Sequence, residues 1–146
     1  MKKVYQTSFH DPVEGTRGNC MRACIASLLE KTIKEVPPLP PTPNQFSDAL
    51  DYLDKYGWEY DCNYMFYHIA AKDREKELLL KLQKEEGIDG YFLVYGMSPR
   101  GVKHIVLYNK QGLAHDPHPS QSGVQVEGTL LFKKKPSESY GFNPFS

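Results

Sequence analysis

Apolar residues recur at helical spacing in a segment near the start of the chain, directly after a glycine–asparagine pair. Gly18 and Asn19 are typical of a turn and a helix N-cap, so a helix is predicted over residues 19–31. Its apolar positions form one stripe: Met21, Cys24, Ile25, Leu28 and Leu29. The pattern therefore predicts a buried helix whose first turn begins at Cys20.

Two further helices are predicted before the chain changes character. Five prolines between positions 37 and 43 end the first helix and predict a stiff, extended connector. Asn44 is the predicted N-cap of a helix over about residues 45–56, and Gly57 ends that helix. A charged helix is predicted over residues 72–86, before Gly87, with its charges facing solvent.

The remaining apolar runs are short, are separated by turn residues and predict strands. The predicted strands span residues 58–67, 91–95, 102–108, 113–115 and 124–132. The continuous apolar run 91–95 is typical of a central strand, and residues 109–112 of a hairpin turn. Helices followed by strands predict an α+β domain in which the last strands form an antiparallel meander.

Length and composition restrict the organisation further. The chain has 146 residues, enough for one core, so a single domain over residues 1–146 is predicted. Lys and Arg total 18, as do Asp and Glu, so the zero net charge gives no support for a nucleic-acid or membrane partner. Neither a signal peptide, a membrane span nor a disulfide framework is recognised. We therefore expect a cytoplasmic location, where thiols stay reduced.

Cys20 combines with two later residues into a candidate nucleophilic site. A thiol ionises more readily at a helix N-terminus, whose free N–H groups can also receive an oxyanion. His104 lies on the predicted strand 102–108, a rigid element that can hold a general base against Cys20. Asp116 follows the next strand, and hairpin geometry can bring its carboxylate beside His104 to orient the imidazole. The alternative for Asp116 is a turn residue before proline.

The other cysteines and histidines have simpler interpretations. Cys24 lies on the apolar stripe and Cys62 in a predicted strand, so both are predicted to be core residues. His118, which lies between two prolines, is predicted to be a cleft-rim or turn residue. The alternative is that His115 and His118, on either side of Asp116, ligate a metal ion. No second Cys or His pair has zinc-ligand spacing, so the sequence predicts neither a metal nor a cofactor.

Several segments resemble papain-like cysteine peptidases of the bacteriocin-processing (C39) type. Residues 19–26, Asn-Cys-Met-Arg-Ala-Cys-Ile-Ala, are similar to the nucleophile motif of that family. His104-Ile105-Val106 and Asp116-Pro117 resemble its His-bearing strand and its Asp-Pro pair. Residues 5–7, 98–101 and 115–120 are also similar to segments of small uncharacterised bacterial and phage proteins. The resemblance implies a papain-like fold and cysteine peptidase chemistry.

Two positions depart from the family pattern. Met21 occupies the position where the family has Gly, and Glu14 the position of its oxyanion-hole Gln. A carboxylate is a poor oxyanion donor, so the predicted donor is Gln6, the nearest upstream glutamine. The alternative for Gln6 is a polar residue at a strand edge.

The sequence thus predicts a cysteine hydrolase that cleaves an amide, isopeptide or related acyl bond in a peptide or protein, with Cys20, His104 and Asp116 as the triad. The same triad serves acyl transfer and deamidation, which remain alternatives. A third alternative is a papain-fold module that binds peptides without catalysis, which the departures at Glu14 and Met21 would permit.

Overall fold

The computed structural model describes residues 1–15, 17–39, 45–84 and 90–134. These residues form a mixed α+β structure, as predicted. Its helices are α1 (Cys20–Leu29), α2 (Gln45–Lys55) and α3 (Arg74–Lys84). Its strands are β1 (Trp58–Met65), β2 (Phe92–Met97), β3 (Lys103–Asn109), β4 (Gly112–His115) and β5 (Gln125–Lys134). Short 3-10 turns occur at Ile33–Glu35 and Ala71–Asp73.

The strands within the described ranges form one antiparallel sheet in the order β1-β5-β2-β3-β4. The predicted meander is correct for β2, β3 and β4 but wrong for β5, which lies between β1 and β2. The physical reason is that the apolar strand β2 is buried and needs a hydrogen-bonding partner on each edge. Pairing of Leu93 with both Leu107 and Leu130 confirms that β2 is a central strand.

Alternating side chains of the sheet enter two separate hydrophobic clusters. Leu93, Ile105 and Leu107 pack in the cluster that contains the buried side chains of α1 and α2. Val94 and Val106 pack with α3 in the other cluster. Successive residues of a strand face opposite sides, so the sheet separates α1 and α2 from α3. The helix that carries Cys20 therefore packs on one face of the sheet that carries His104.

The helix limits lie close to the predicted ones. α1 ends at Leu29, and its C-cap residue Glu30 has a left-handed backbone with a φ of 56°. α2 ends before Gly57, which has a φ of 89° and stops the helix as predicted. α3 begins at Arg74, two residues later than predicted, because residues 71–73 form a 3-10 turn, and residues 85–86 of the predicted helix lie outside the described residues. The predicted cap Asn44, the stop Gly87 and residues 40–43 of the proline-rich connector lie outside the described residues.

Asn19 occupies the N-cap position of α1, but its side chain makes no capping hydrogen bond to the helix. Its Oδ1 instead accepts hydrogen bonds from the backbone N–H groups of Thr7 (3.0 Å) and Ser8 (3.1 Å). Its Nδ2 donates to Oγ1 of Thr7 at 2.9 Å. Asn19 is therefore the N-cap residue, as predicted, but the backbone of residues 7 and 8 occupies its carboxamide. The first-turn N–H groups of α1 receive no bond from the cap side chain.

Residues 1–8, here named the N-terminal segment, connect α1 to the residues that follow β4. The N–H of Val4 donates to Oγ of Ser27 at 2.9 Å. The N–H of Gln6 donates to the carbonyl of Pro117 at 3.0 Å. Nε2–H of His115 donates to the carbonyl of Val4 at 2.7 Å. The segment thus ties the helix of Cys20 to the loop of Asp116.

Among the described helices, none combines the length and hydrophobicity that crossing a membrane requires.

Candidate active site

His104 and Asp116 meet in the protein interior. Their side chains are 3% and 0% exposed, and Nε2 of His104 lies 2.6 Å from Oδ1 of Asp116. His104 is the second residue of β3, and Asp116 directly follows β4, which pairs with β3 through a tight turn between Asn109 and Gly112. The β3–β4 hairpin therefore brings together two residues twelve positions apart, as the sequence predicted.

Asp116 is held as an anion by several donors. Besides His104, its Oδ1 accepts the backbone N–H of His118 at 2.9 Å, and its Oδ2 accepts that of Gly123 at 2.8 Å. Gly123 adopts a φ of 73°, which only glycine adopts readily, so the loop can fold back over the carboxylate. Burial raises the pKa of Asp116, but these hydrogen bonds outweigh burial and lower its pKa. The residue thus organises its turn and also fixes the imidazole.

Cys20 is the first residue of α1 and is half-buried. Burial acts to lower the pKa of His104, but hydrogen bonds to Asp116 and to the Cys20 side chain, with the charges of both groups, raise it to about 9. Because Nε2 is bonded to Asp116, Nδ1 is the ring nitrogen left for Cys20. The site therefore favours an imidazolium between a carboxylate and a thiol.

Cys24 lies one turn further along α1 in a different environment. It is completely buried, and its Sγ–H donates to the carbonyl of Ile105 at 3.5 Å. Burial raises the pKa of Cys24 well above its ordinary value, and the neighbouring charges of Cys20 and Asp116 raise it further. Cys24 is therefore a protonated core residue, as predicted. The predicted strand position of Cys62 is also correct, since the residue lies in β1.

Gln6 is a buried residue of the N-terminal segment, 7% exposed, and lies outside the strands, so the strand-edge interpretation is wrong. Its Nε2 donates to the carbonyl of Ser8 at 3.0 Å. A Cβ placed on Gly18 would lie 3.3 Å from that Nε2, so the amide lies against the turn that precedes Cys20. Within the described part of the chain, Oε1 of Gln6 has no hydrogen-bond partner.

The histidines on either side of Asp116 bind different backbone groups. His115 is 1% exposed and donates to Val4, whereas Nδ1 of His118 accepts the N–H of Ser120 at 3.0 Å. Among the described residues, no group of three His, Cys, Asp or Glu side chains could hold a metal ion. The metal alternative at His115 and His118 therefore has no ligand set there. The sequence favoured a cleft-rim or turn position for His118, and no sequence signal indicated its ring contact with His104, at 6.2 Å between centroids.

Comparison with known proteins adds no further assignment. No family model, no curated protein and no solved structure matches this chain. A surface cavity of about 360 Å³ between β1 and α3 includes neither Cys20 nor His104 in its lining. The chemistry of the molecule is therefore argued from the geometry around Cys20, His104 and Asp116.

Proposed function

We propose that the protein is a papain-like cysteine hydrolase that cleaves an amide or related acyl bond of a peptide or protein. In this proposal Cys20 is the nucleophile, His104 the general acid and base, and Asp116 the residue that orients His104. The observation that carries the proposal is the buried 2.6 Å contact between His104 and Asp116, together with the half-buried position of Cys20 at the first turn of α1.

The proposed reaction has two halves. The Cys20 thiolate attacks the carbonyl carbon and forms a C–S bond, and His104 donates a proton to the leaving amine as the C–N bond breaks. Water then attacks the acyl-enzyme, His104 accepts a proton from that water, and the C–S bond breaks to release the acid. A pKa of about 9 supports the first role, because His104 then carries its proton at neutral pH.

The developing oxyanion would be stabilised at the start of α1. The Asn19 side chain leaves the first-turn N–H groups of α1 uncapped, and that turn contains no acidic residue. Gln6 supplies a second candidate donor, because Nε2 has two hydrogens and Ser8 accepts only one of them. The assignment of Gln6 to the oxyanion hole is part of the proposal.

A buried His–Asp pair can also be purely structural, and a papain-fold binding module would keep one. Two observations favour catalysis. Cys20 is half-buried beside His104, whereas Cys24 on the same helix is sealed in the core. Neither departure from the family motif obstructs the pair, since Met21 packs in the hydrophobic core and Glu14 is exposed.

The proposal is tested with p-nitrophenyl acetate, an activated acyl donor that makes no demand on substrate recognition. We expect release of p-nitrophenolate and an acetyl group on Cys20, located by peptide mass spectrometry. Cys20→Ala should abolish both, and the matched variant Cys24→Ala should keep both. Acetylation of the wild type at Cys24, or undiminished turnover by Cys20→Ala, would contradict the proposal.

Acyl transfer and deamidation proceed through the same acyl-enzyme. Once acylation of Cys20 is established, peptide, isopeptide and glutamine-containing substrates offered with and without an added amine separate the three reactions. Hydrolysis predicts a free acid in both conditions. A product carrying the added amine indicates transfer instead, and conversion of glutamine to glutamate indicates deamidation.

A further inference from the structure

His118 stands beside the reactive residues and is only partly buried. Its ring meets that of His104 edge to face, with centroids 6.2 Å apart and planes at 86°. Its other neighbour is Phe9, 39% exposed, with ring centroids 5.3 Å apart and planes at 79°. The imidazole thus lies between the buried His104 and an exposed aromatic ring at the surface of the site.

A backbone hydrogen bond fixes the tautomer of His118. The N–H of Ser120 donates to Nδ1 at 3.0 Å, so Nδ1 must be unprotonated and the neutral ring carries its proton on Nε2. Burial, and next the positive charge of Arg100, lower the pKa of His118, which keeps the ring neutral. Within the described chain, Nε2–H of His118 has no hydrogen-bond partner.

Arg100 is held at the same place by the same serine. Its Nη1 donates to Oγ of Ser120 at 3.0 Å, and the remaining N–H groups of the exposed guanidinium stay available to a ligand. Ser120 therefore contacts both an exposed cation and the neutral imidazole that lies beside His104.

We propose that Arg100 and His118 form an anion-binding subsite that selects substrates with a carboxylate close to the attacked carbonyl. This inference rests on the proposed function, because it takes Cys20 as the nucleophile. Guanidinium and imidazole N–H groups are the donors that bind carboxylates in proteins. Phe9 bounds the subsite with apolar surface, which strengthens the charged hydrogen bonds by excluding water.

Two alkylating reagents of nearly equal size test the subsite without a known substrate. Iodoacetate carries a carboxylate next to the attacked carbon, and iodoacetamide carries a neutral amide there. The measured quantity is the rate of Cys20 modification by iodoacetate divided by the rate by iodoacetamide. The same ratio is measured for glutathione as the reference. We expect a ratio about three- to tenfold above that of glutathione, as for one or two charge-assisted hydrogen bonds at a partly exposed site.

Matched variants locate the effect. Arg100→Gln should lower the ratio about threefold or more, and Arg100→Lys, which keeps the charge, should restore part of it. His118→Asn should also lower the ratio, because the asparagine Oδ1 can still accept the N–H of Ser120 while the Nε2–H donor is gone. Lys76→Gln, an exposed substitution on α3, controls for net charge and should leave the ratio unchanged.

The outcomes separate this inference from the proposed function. A wild-type ratio equal to that of glutathione, or equal ratios in Arg100→Gln, His118→Asn and Lys76→Gln, overturns the subsite while Cys20 remains the nucleophile. If iodoacetamide instead modifies Cys20 equally fast in the wild type and in His104→Ala, the proposed function itself fails. Because Arg100 is exposed, its variants give a decision even if His118→Asn does not fold.

A competition experiment identifies the source of the carboxylate. Three peptides are compared as protectors of Cys20 against iodoacetamide: one with a free C-terminus, its C-terminal amide, and an amide that contains glutamate. Protection by the first alone indicates a chain terminus, and protection by the third indicates a side chain. Either result supports the subsite, whereas equal protection by all three contradicts it.

Discussion

Two thiols on one helix differ in almost every property that governs cysteine chemistry. Cys20 lies at the uncapped start of α1 beside an imidazole, and Cys24 lies one turn later in the core. Desolvation raises the free energy of a buried thiolate, so burial alone keeps Cys24 protonated. Position on the helix, rather than residue type, therefore separates the proposed nucleophile from a packing residue.

This difference predicts opposite effects of alanine at the two positions. Cys24→Ala should lower the free energy of unfolding by about 1 kcal/mol, because it removes buried packing, and should leave acylation of Cys20 intact. Cys20→Ala should change stability by less than about 0.5 kcal/mol, because its side chain is half-buried. Urea denaturation of both variants measures this. A larger loss in Cys20→Ala would mean that the roles are reversed.

Asp116 predicts a second effect at the residue scale. Asp116→Asn should keep the protein folded but slow acylation by p-nitrophenyl acetate by a factor on the order of 10² or more. An amide no longer stabilises the imidazolium, and it favours the wrong tautomer of His104. The measurement is the acylation rate at saturating ester, with circular dichroism as the folding control. A rate within twofold of the wild type would remove the orienting role.

At the scale of elements, the N-terminal segment is the part that sequence reasoning described least well. Asparagine before a helix favours capping by local preference, whereas the donors that occupy Asn19 come from Thr7, twelve residues away, and Ser8. Such a long-range bond leaves no periodic signal. The hairpin of His104 and Asp116 was predictable for the opposite reason, since a short turn fixes which strands pair.

Asn19→Ala should therefore loosen the N-terminal segment rather than the helix. Two backbone donors lose their acceptor, and the free energy of unfolding should fall by about 1 to 2 kcal/mol. Hydrogen exchange should accelerate at Thr7 and Ser8. Acceleration confined to the first turn of α1 would show that Asn19 acts as a helix cap after all.

The position of β5 between β1 and β2 could not be predicted from the pattern of apolar residues either. Alternating and continuous apolar runs identify strands one at a time, but the order of strands depends on pairing between distant segments. Two glycines allow β5 and β2 to approach each other closely. A Cβ at Gly96 would overlap the carbonyl of Gln125, and one at Gly128 would overlap the ring of Tyr95. Glycine inside a strand was the available signal.

At the scale of the whole molecule, the buried His104–Asp116 pair couples stability to pH. The pKa of Asp116 is lowered on folding, so its contribution is present above its ordinary pKa of 3.8 and is lost as pH falls through the folded value. The pKa of His104 is raised, so its contribution is complete below 6.5 and is lost as pH rises toward 9. The pair should therefore stabilise the fold most between the ordinary pKa of Asp116, 3.8, and the ordinary pKa of His104, 6.5.

The alkaline side of this dependence is measurable. A Cys20→Ala background removes the part of the His104 pKa shift that Cys20 causes and leaves the part that Asp116 causes. In that background the free energy of unfolding should still fall as pH rises above 6.5, by at most about 1.4 kcal/mol per pH unit. Adding His104→Gln should remove this slope. Urea titrations from pH 6 to 9 compare the two proteins, and equal slopes would contradict the raised pKa of His104.

The sequence was sufficient for the α+β class, for most element limits and for the juxtaposition of His104 with Asp116. Each of these depends on local periodicity or on one short turn. The ring of His118 and the orientation of Arg100 were not predictable, because both depend on how the loop around Ser120 folds back. With no matching family or structure, reactivity at Cys20 carries the decisive information.

The most direct test of the central claim is the pH dependence of Cys20 alkylation by iodoacetamide in the native protein. Trypsin cleaves after Arg22 and separates Cys20 from Cys24, so mass spectrometry reads each thiol independently. We predict that Cys20 reacts at pH 6 while Cys24 does not, and that His104→Ala slows Cys20 at least tenfold at that pH. Protection of Cys24 reports that the variant remains folded. An unchanged Cys20 rate in folded His104→Ala, or faster labelling of Cys24 in the wild type, would contradict the account.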